Sequence, residues 1–174
     1  DDGFENAWGS GNSSSRGLSI ALDAGCQLRD LEFISWNPLG IPDTEFSLTV
    51  DILQNGGKLT TSSGTEIQIN LDTTPNKLAY EINSAGGLAL LDATSLSKTS
   101  IEWYAGLSRE VKNRTGLDMS EQLIPVSPKV EQTVGGLPVD EHGRVIKGNW
   151  DNWYTGLYSA GGASCSGLNG TGII

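Results

Sequence analysis

Glycine constrains this chain more than any other residue type. There are 23 glycines in 174 residues, above ordinary usage. In the last third they recur every few positions: Gly135-Gly136, Gly143, Gly148, Gly156, Gly161-Gly162 and Gly167. A residue without Cβ belongs where the backbone turns tightly or comes close to something flat. Residues 123–174 therefore read as short strands joined by Gly, Pro and Asp/Glu turns. The length is that of one ordinary domain, and 37% apolar residues suffice for a core.

Charge removes some partners. A net charge of −10 with an isoelectric point near 4.4 leaves no basic stripe, so a nucleic acid is not an expected partner. No apolar run is long enough for a transmembrane segment. Cys26 and Cys165 lie far apart and His142 is the single histidine. No zinc site is expected, and each cysteine reads as a small buried apolar residue. His142, within Asp140-Glu141-His142-Gly143-Arg144, reads as part of an exposed turn rather than a general base.

Residues 1–15 read as loop, and 15–24 as a helix with Leu18, Ala21 and Leu22 on one face and Gly25 as its stop. Leu31 to Trp36 is a strand candidate ended by Asn37-Pro38. Phe46, Leu48 and Val50 alternate with polar residues, as do Ile67, Ile69 and Leu71. With the Asn55-Gly56-Gly57 turn signal, 46–71 predicts two or three antiparallel strands. A short helix is expected over 76–85. A longer one is expected over 98–115, carried by Ile101, Tyr104, Leu107 and Val111 and closed by Gly116. Trp150, Trp153 and Tyr154 either stack on a ring or sugar or pack a loop onto a sheet.

Two stretches carry a family resemblance. Arg16 to Gly40 contains Ala24-Gly25-Cys26-Gln27-Leu28-Arg29-Asp30-Leu31-Glu32-Phe33, similar to the pattern "A-G-A-x-L-x-D-M-E-F". Further on, Glu131-Gln132-Thr133-Val134-Gly135-Gly136 resembles "H-Y-T-M-G-G", and Gly156 to Gly162 resembles "G-L-Y-A-A-G-E". Together they resemble the succinate dehydrogenase, fumarate reductase and L-aspartate oxidase flavoproteins. The resemblance implies an α+β fold: the β-rich second half of an FAD-binding, Rossmann-like domain. It assigns 1–45 and 119–174 to that domain and 46–118 to a reduced capping insert. It implies FAD as cofactor, with Gly161, Gly162, Ser166, Gly167, Leu168 and Asn169 as binding residues. Asn37, Glu131, Gln132 and Thr133 fall at substrate-side positions. The segments 31–36 and 156–161 are expected as buried strands of one sheet near Gly135-Gly136. The compartment implied is the cytoplasm or the periphery of a membrane complex.

The departures are as informative. The strand–GxGxxG–helix that cradles the FAD pyrophosphate has no match in this sequence, so it is expected either from a second chain, as a partner, or from a segment outside these residues. The family's histidines fall on Asn37 and Glu131, and its arginines on Leu53 and Ile173. Its ribityl-side glutamate falls on Gly162. A dicarboxylate needs cationic donors at both ends. Glu131 would repel one by roughly 1–4 kcal/mol at about 4 Å. No succinate or fumarate chemistry is expected from this chain alone. Two readings stay open: a divergent FAD-dependent oxidoreductase chain working with a partner, and a non-catalytic structural or interaction module on the same fold.

Overall fold

The computed structural model describes residues 15–69 and 73–167, apart from the side chain of Trp150. Within them the chain forms two compact units. One is discontinuous and takes 15–35 with 131–167; the other is the stretch 36–130 between them. The architecture is α+β.

The inserted unit is built around one sheet. Strands β1 (Ile34–Gly40), β2 (Lys58–Thr61), β3 (Glu66–Ile67), β4 (Ala89–Asp92) and β5 (Ile124–Thr133) lie in the order β1-β5-β4-β2-β3. β2 is antiparallel to both β3 and β4, and β4 to β5. Helices α2 (Asp51–Gln54), α3 (Pro75–Ser84), α4 (Lys98–Trp103) and α5 (Ala105–Thr115) surround it. α3 starts at Pro75 after a Thr74 cap whose hydroxyl accepts from Lys77 N–H, the favoured arrangement of a helix N-terminus. Leu39, Ile52, Leu59, Leu78, Ile82, Leu91, Val111, Ile124 and Val126 form a continuous, almost fully buried core. Tyr104 is buried here too. Its hydroxyl donates to Asp51 Oδ2 at 3.1 Å and accepts from Asn55 Nδ2 at 2.9 Å.

Several expectations need correction. The first strand does not end at Asn37-Pro38 but runs on to Gly40. Pro38 lies inside β1, the end strand of its sheet, the place in a sheet where proline is found. Residues 46–50 form no strand beyond one bridge, Gly40 to Ser47, before α2 begins. The expected helix over 98–115 is broken at Tyr104, whose buried hydroxyl network holds the break. Gly116 does close it, at φ 77°. The strand β4 went unread in the sequence. Asn37 is buried, with its amide committed locally: Nδ2 donates to Leu48 O and Oδ1 accepts from Leu39 N–H.

The discontinuous unit contains α1 (Arg16–Asp23), two two-stranded sheets and a single turn of 3-10 helix at Gly161–Ala163. Gly25, at φ 83°, stops α1 as expected. β6 (Leu137–Pro138) pairs in parallel with β9 (Ser164–Cys165). β7 (Arg144–Lys147) pairs antiparallel with β8 (Asn149–Tyr158). The expectation that 31–36 and 156–161 share a sheet fails. β1 belongs to the five-stranded sheet and β8 to the β7–β8 pair; Tyr158 is exposed. Trp36 and Tyr158 even fall in different units, so that pair is no test of family membership. The core of this unit is small: Ala21, Cys26, Leu137, Val139 and Val145, with Leu18, Tyr154 and Leu157 against it. Both cysteines are buried and unpaired.

Candidate functional site

The discontinuous unit holds a cavity of about 960 Å³, the size of a small-molecule or cofactor site. Three segments make it: 132–134, the turn 139–144, and the glycine-rich stretch 159–167. Close backbone approach puts the segments together. A Cβ on Gly135 would lie 2.4 Å from the carbonyl carbon of Asp30, and one on Gly136 would lie 2.5 Å from the carbonyl oxygen of Ala163. Only glycine permits these contacts. Arg29 and Gly136 then exchange backbone hydrogen bonds of 2.9 and 3.0 Å.

The glycines of the rim behave differently. A Cβ on Gly161, Gly162 or Gly167 meets nothing within 4 Å. These residues leave room beside the backbone instead of permitting contact with another part of the chain. Gly161 and Gly167 also have φ of 65° and 70°, the left-handed region that side chains resist. Ser164 anchors the stretch by donating from its hydroxyl to Gly161 O at 2.9 Å. Behind it, Cys165 Sγ donates to Asp30 Oδ2 at 3.1 Å. Burial pushes the Cys165 thiol pKa up, and the Asp30 carboxylate adds to that.

The opposite rim is the turn at 140–143. Asp140 Oδ1 accepts from the N–H groups of His142 and Arg144, and Gly143 has φ 74°. Arg144 Nε donates to Asp140 Oδ2 at 2.6 Å. The Arg144 guanidinium also lies 3.7 Å from the centre of the Trp153 ring. A bulge permits that stacking. Arg144 pairs with Tyr158 and Ile146 with Trp153, so β8 carries extra residues between them, with Gly156 at φ 79°. Burial works against the charged Asp140 carboxylate, but the Arg144 backbone and guanidinium and the His142 N–H outweigh it and hold its pKa low. His142 is exposed, as its place in a turn implied.

Of the sequence-predicted residues, the structure brings Gly161, Gly162, Ser166 and Gly167 together with Gln132 and Thr133 around this cavity. Glu131 is the half-buried residue just before them. Asn37 belongs to the inserted unit. Leu168 and Asn169 lie outside the described residues, as does Ile173. Trp153 and Tyr154 lie on a strand rather than a loop: Trp153 stacks on Arg144, and Tyr154 donates to Gly25 O at 2.8 Å. Sequence reading missed Arg144 as a cavity residue. The usable signal was the Asp140–Arg144 spacing of four across a Gly turn, with an aromatic cluster following.

An α+β chain with a cofactor-sized cavity between the Asp140–Arg144 turn and a glycine-rich rim has the features of a cofactor-binding domain. The comparisons make this specific. The FAD binding domain family matches residues 6–172, and the chain belongs to that family; FAD is its cofactor. The mitochondrial succinate dehydrogenase flavoprotein subunit of Oryza sativa subsp. japonica is 29% identical, over 88% of this chain and 28% of that protein. L-aspartate oxidase of Pyrococcus furiosus is 33% identical, over 92% of this chain and 34% of that protein. A quinol fumarate reductase structure from E. coli superposes with a TM-score of 0.79 at 21% identity, over 98% of this chain and 33% of that one. The chain thus spans about a third of the length of the relatives it matches. Among the described residues, no helix is long and apolar enough to cross a membrane.

The lining fits part of a flavin. An added Cβ at Gly161 or Gly162 would meet no protein atom within 4 Å, and Thr133, Ser164 and Ser166 line the same cavity.

Proposed function

We propose that this chain is the second FAD-contacting segment, with a reduced capping insert, of a divergent FAD-dependent oxidoreductase. The discontinuous unit corresponds to the FAD-domain segments and the inserted unit to the capping region. Gly161, Gly162, Ser166 and Gly167 sit beside the isoalloxazine and ribityl end, with Leu168 and Asn169 continuing that contact in sequence. Gln132 and Thr133 sit on the substrate side, with Glu131 and Asn37 at the two positions where the family carries histidine. Bound FAD supplies hydride acceptance; the chain's own residues orient the ring and select what reaches it. The pyrophosphate is held by a strand–GxGxxG–helix that lies outside these 174 residues. The observation that carries this reading is the row of glycines lining the cavity, Gly161, Gly162 and Gly167, where an added Cβ would meet no protein atom within 4 Å.

Because the cationic positions of the family are replaced, the substrate is not a dicarboxylate handled in the family's way. Succinate-dependent dye reduction is expected to stay at the protein-free blank. FAD titration followed by flavin fluorescence is the direct test. Weak or no binding is expected for the chain alone, and submicromolar affinity without another chain would show that the cofactor site is misplaced. Gly162→Glu adds a ribityl acceptor where a side chain has space. It should strengthen FAD binding by about 1–3 kcal/mol.

The second reading, a non-catalytic interaction module, is favoured by the replacement of those same charged positions. Protein that purifies colourless and stays colourless with FAD, even after Gly162→Glu, selects it.

A further inference from the structure

The cavity has a cationic group that the flavin reading does not use. Arg144 borders it and is only 28% exposed at its side chain. Two contacts fix its guanidinium. Asp140 takes the Nε edge at 2.6 Å, and the Trp153 ring covers one face at 3.7 Å. Among the described residues, the two terminal amino groups have no hydrogen-bond partner. The edge left over is therefore the Nη1/Nη2 fork, and the open space beside Arg144 is the cavity.

A held guanidinium differs from a free surface arginine. Its fork is planar and already oriented, so two parallel N–H···O bonds form without ordering a long side chain. The stacking residue also restricts water on one face. Two carboxylates lie nearby and set the limits of the site. Asp140, 13% exposed, is occupied by Nε and by two backbone N–H groups; Glu141, 86% exposed, sits next to His142. Asp140 thus works as a positioning residue, while its charge largely cancels the pull on a distant anion and leaves the short-range fork to do the binding.

We propose that Arg144 is an oxyanion-binding residue of this cavity, its Nη1/Nη2 fork receiving a carboxylate or phosphate group of a bound ligand. Both groups present two oxygens to a guanidinium fork in the same way. The site supplies a cation inside a chain whose Asn37, Glu131, Leu53 and Ile173 lack the charges expected by resemblance. It stands on Arg144, Asp140 and Trp153 alone and does not depend on a flavin.

The probes are sodium phosphate and sodium succinate, titrated separately into the full chain without FAD, at low and constant ionic strength. Calorimetry reads the affinity and tryptophan emission reads the site. Saturable binding of at least one anion with a change in emission is expected. Phosphate alone points to a phosphate-bearing ligand; succinate alone points to a carboxylate. Arg144→Gln should weaken binding at least tenfold. Arg144→Lys keeps the charge but loses the fork, and should weaken it severalfold. Trp153→Phe should keep the calorimetric affinity within a few-fold and lose most of the emission change. Wild-type protein that binds neither anion overturns the proposal. So does Arg144→Gln with wild-type affinity, or Arg144→Lys with wild-type affinity if the glutamine variant does not fold. A failed FAD titration bears on the flavin reading and leaves this result intact.

Discussion

The two units of this chain solve the same problem with different materials. The inserted unit buries seventeen side chains in one cluster under a five-stranded sheet. The largest buried cluster described in the discontinuous unit holds five, in a unit with two sheets of two strands each. The first is held by apolar area, at roughly 25 cal/mol per Å². The second is held by close backbone contacts, Gly135 against Asp30 and Gly136 against Ala163, and by one polar side-chain stack, Asp140–Arg144–Trp153. A region built this way spends little of its surface on a core and leaves a cavity with a polar, glycine-lined wall.

The comparison can be broken most directly in the inserted unit. Leu59→Ala, in the fully buried middle of β2, should cost about 2–5 kcal/mol in chemical denaturation. A loss under 1 kcal/mol would mean that the cluster is not a tight core. Within the discontinuous unit, Gly135→Ala places a methyl into backbone atoms at 2.4 Å and should cost about 1–3 kcal/mol. Gly162→Ala, with nothing within 4 Å, should stay within about 0.5 kcal/mol. Equal effects at the two glycines would remove the distinction between packing glycines and rim glycines.

The smallest effect concerns Asp140. Its folded pKa lies below its unfolded value. Its contribution to stability is therefore full above the unfolded pKa and is lost as pH falls through the folded one. Asp140→Asn should flatten the acid limb of the stability profile and leave neutral pH little changed. An acid limb identical to the wild type would show that the Arg144 contact carries no linkage.

Local signals in the sequence were legible where one residue decided the outcome. Gly25 and Gly116 stop their helices, and the Asp140 turn is where its residues place it. The rest was decided by distant partners. Tyr104 has the spacing of a helix interior, but its hydroxyl reaches Asp51 and Asn55 about fifty residues away and the helix breaks there. Pro38 looks like a strand terminator, but β1 runs through it as the end strand of the sheet. At the site, the glycines and Gln132-Thr133 were readable from a motif. Arg144 was not, because its neighbour Trp153 arrives through a bulge that no period of two anticipates.

The chain leaves the discontinuous unit within β1 and returns to it within β5, and these two strands are neighbours in one sheet. The insert's two ends therefore meet. Once formed, the sheet acts as a clasp. Holding 36 and 130 together removes a loop-closure cost of roughly 4 kcal/mol by the three-halves RT ln n rule before the halves of the other unit have to find each other. A nick in the insert should therefore be felt in the cavity, through the refolding rate rather than through any contact.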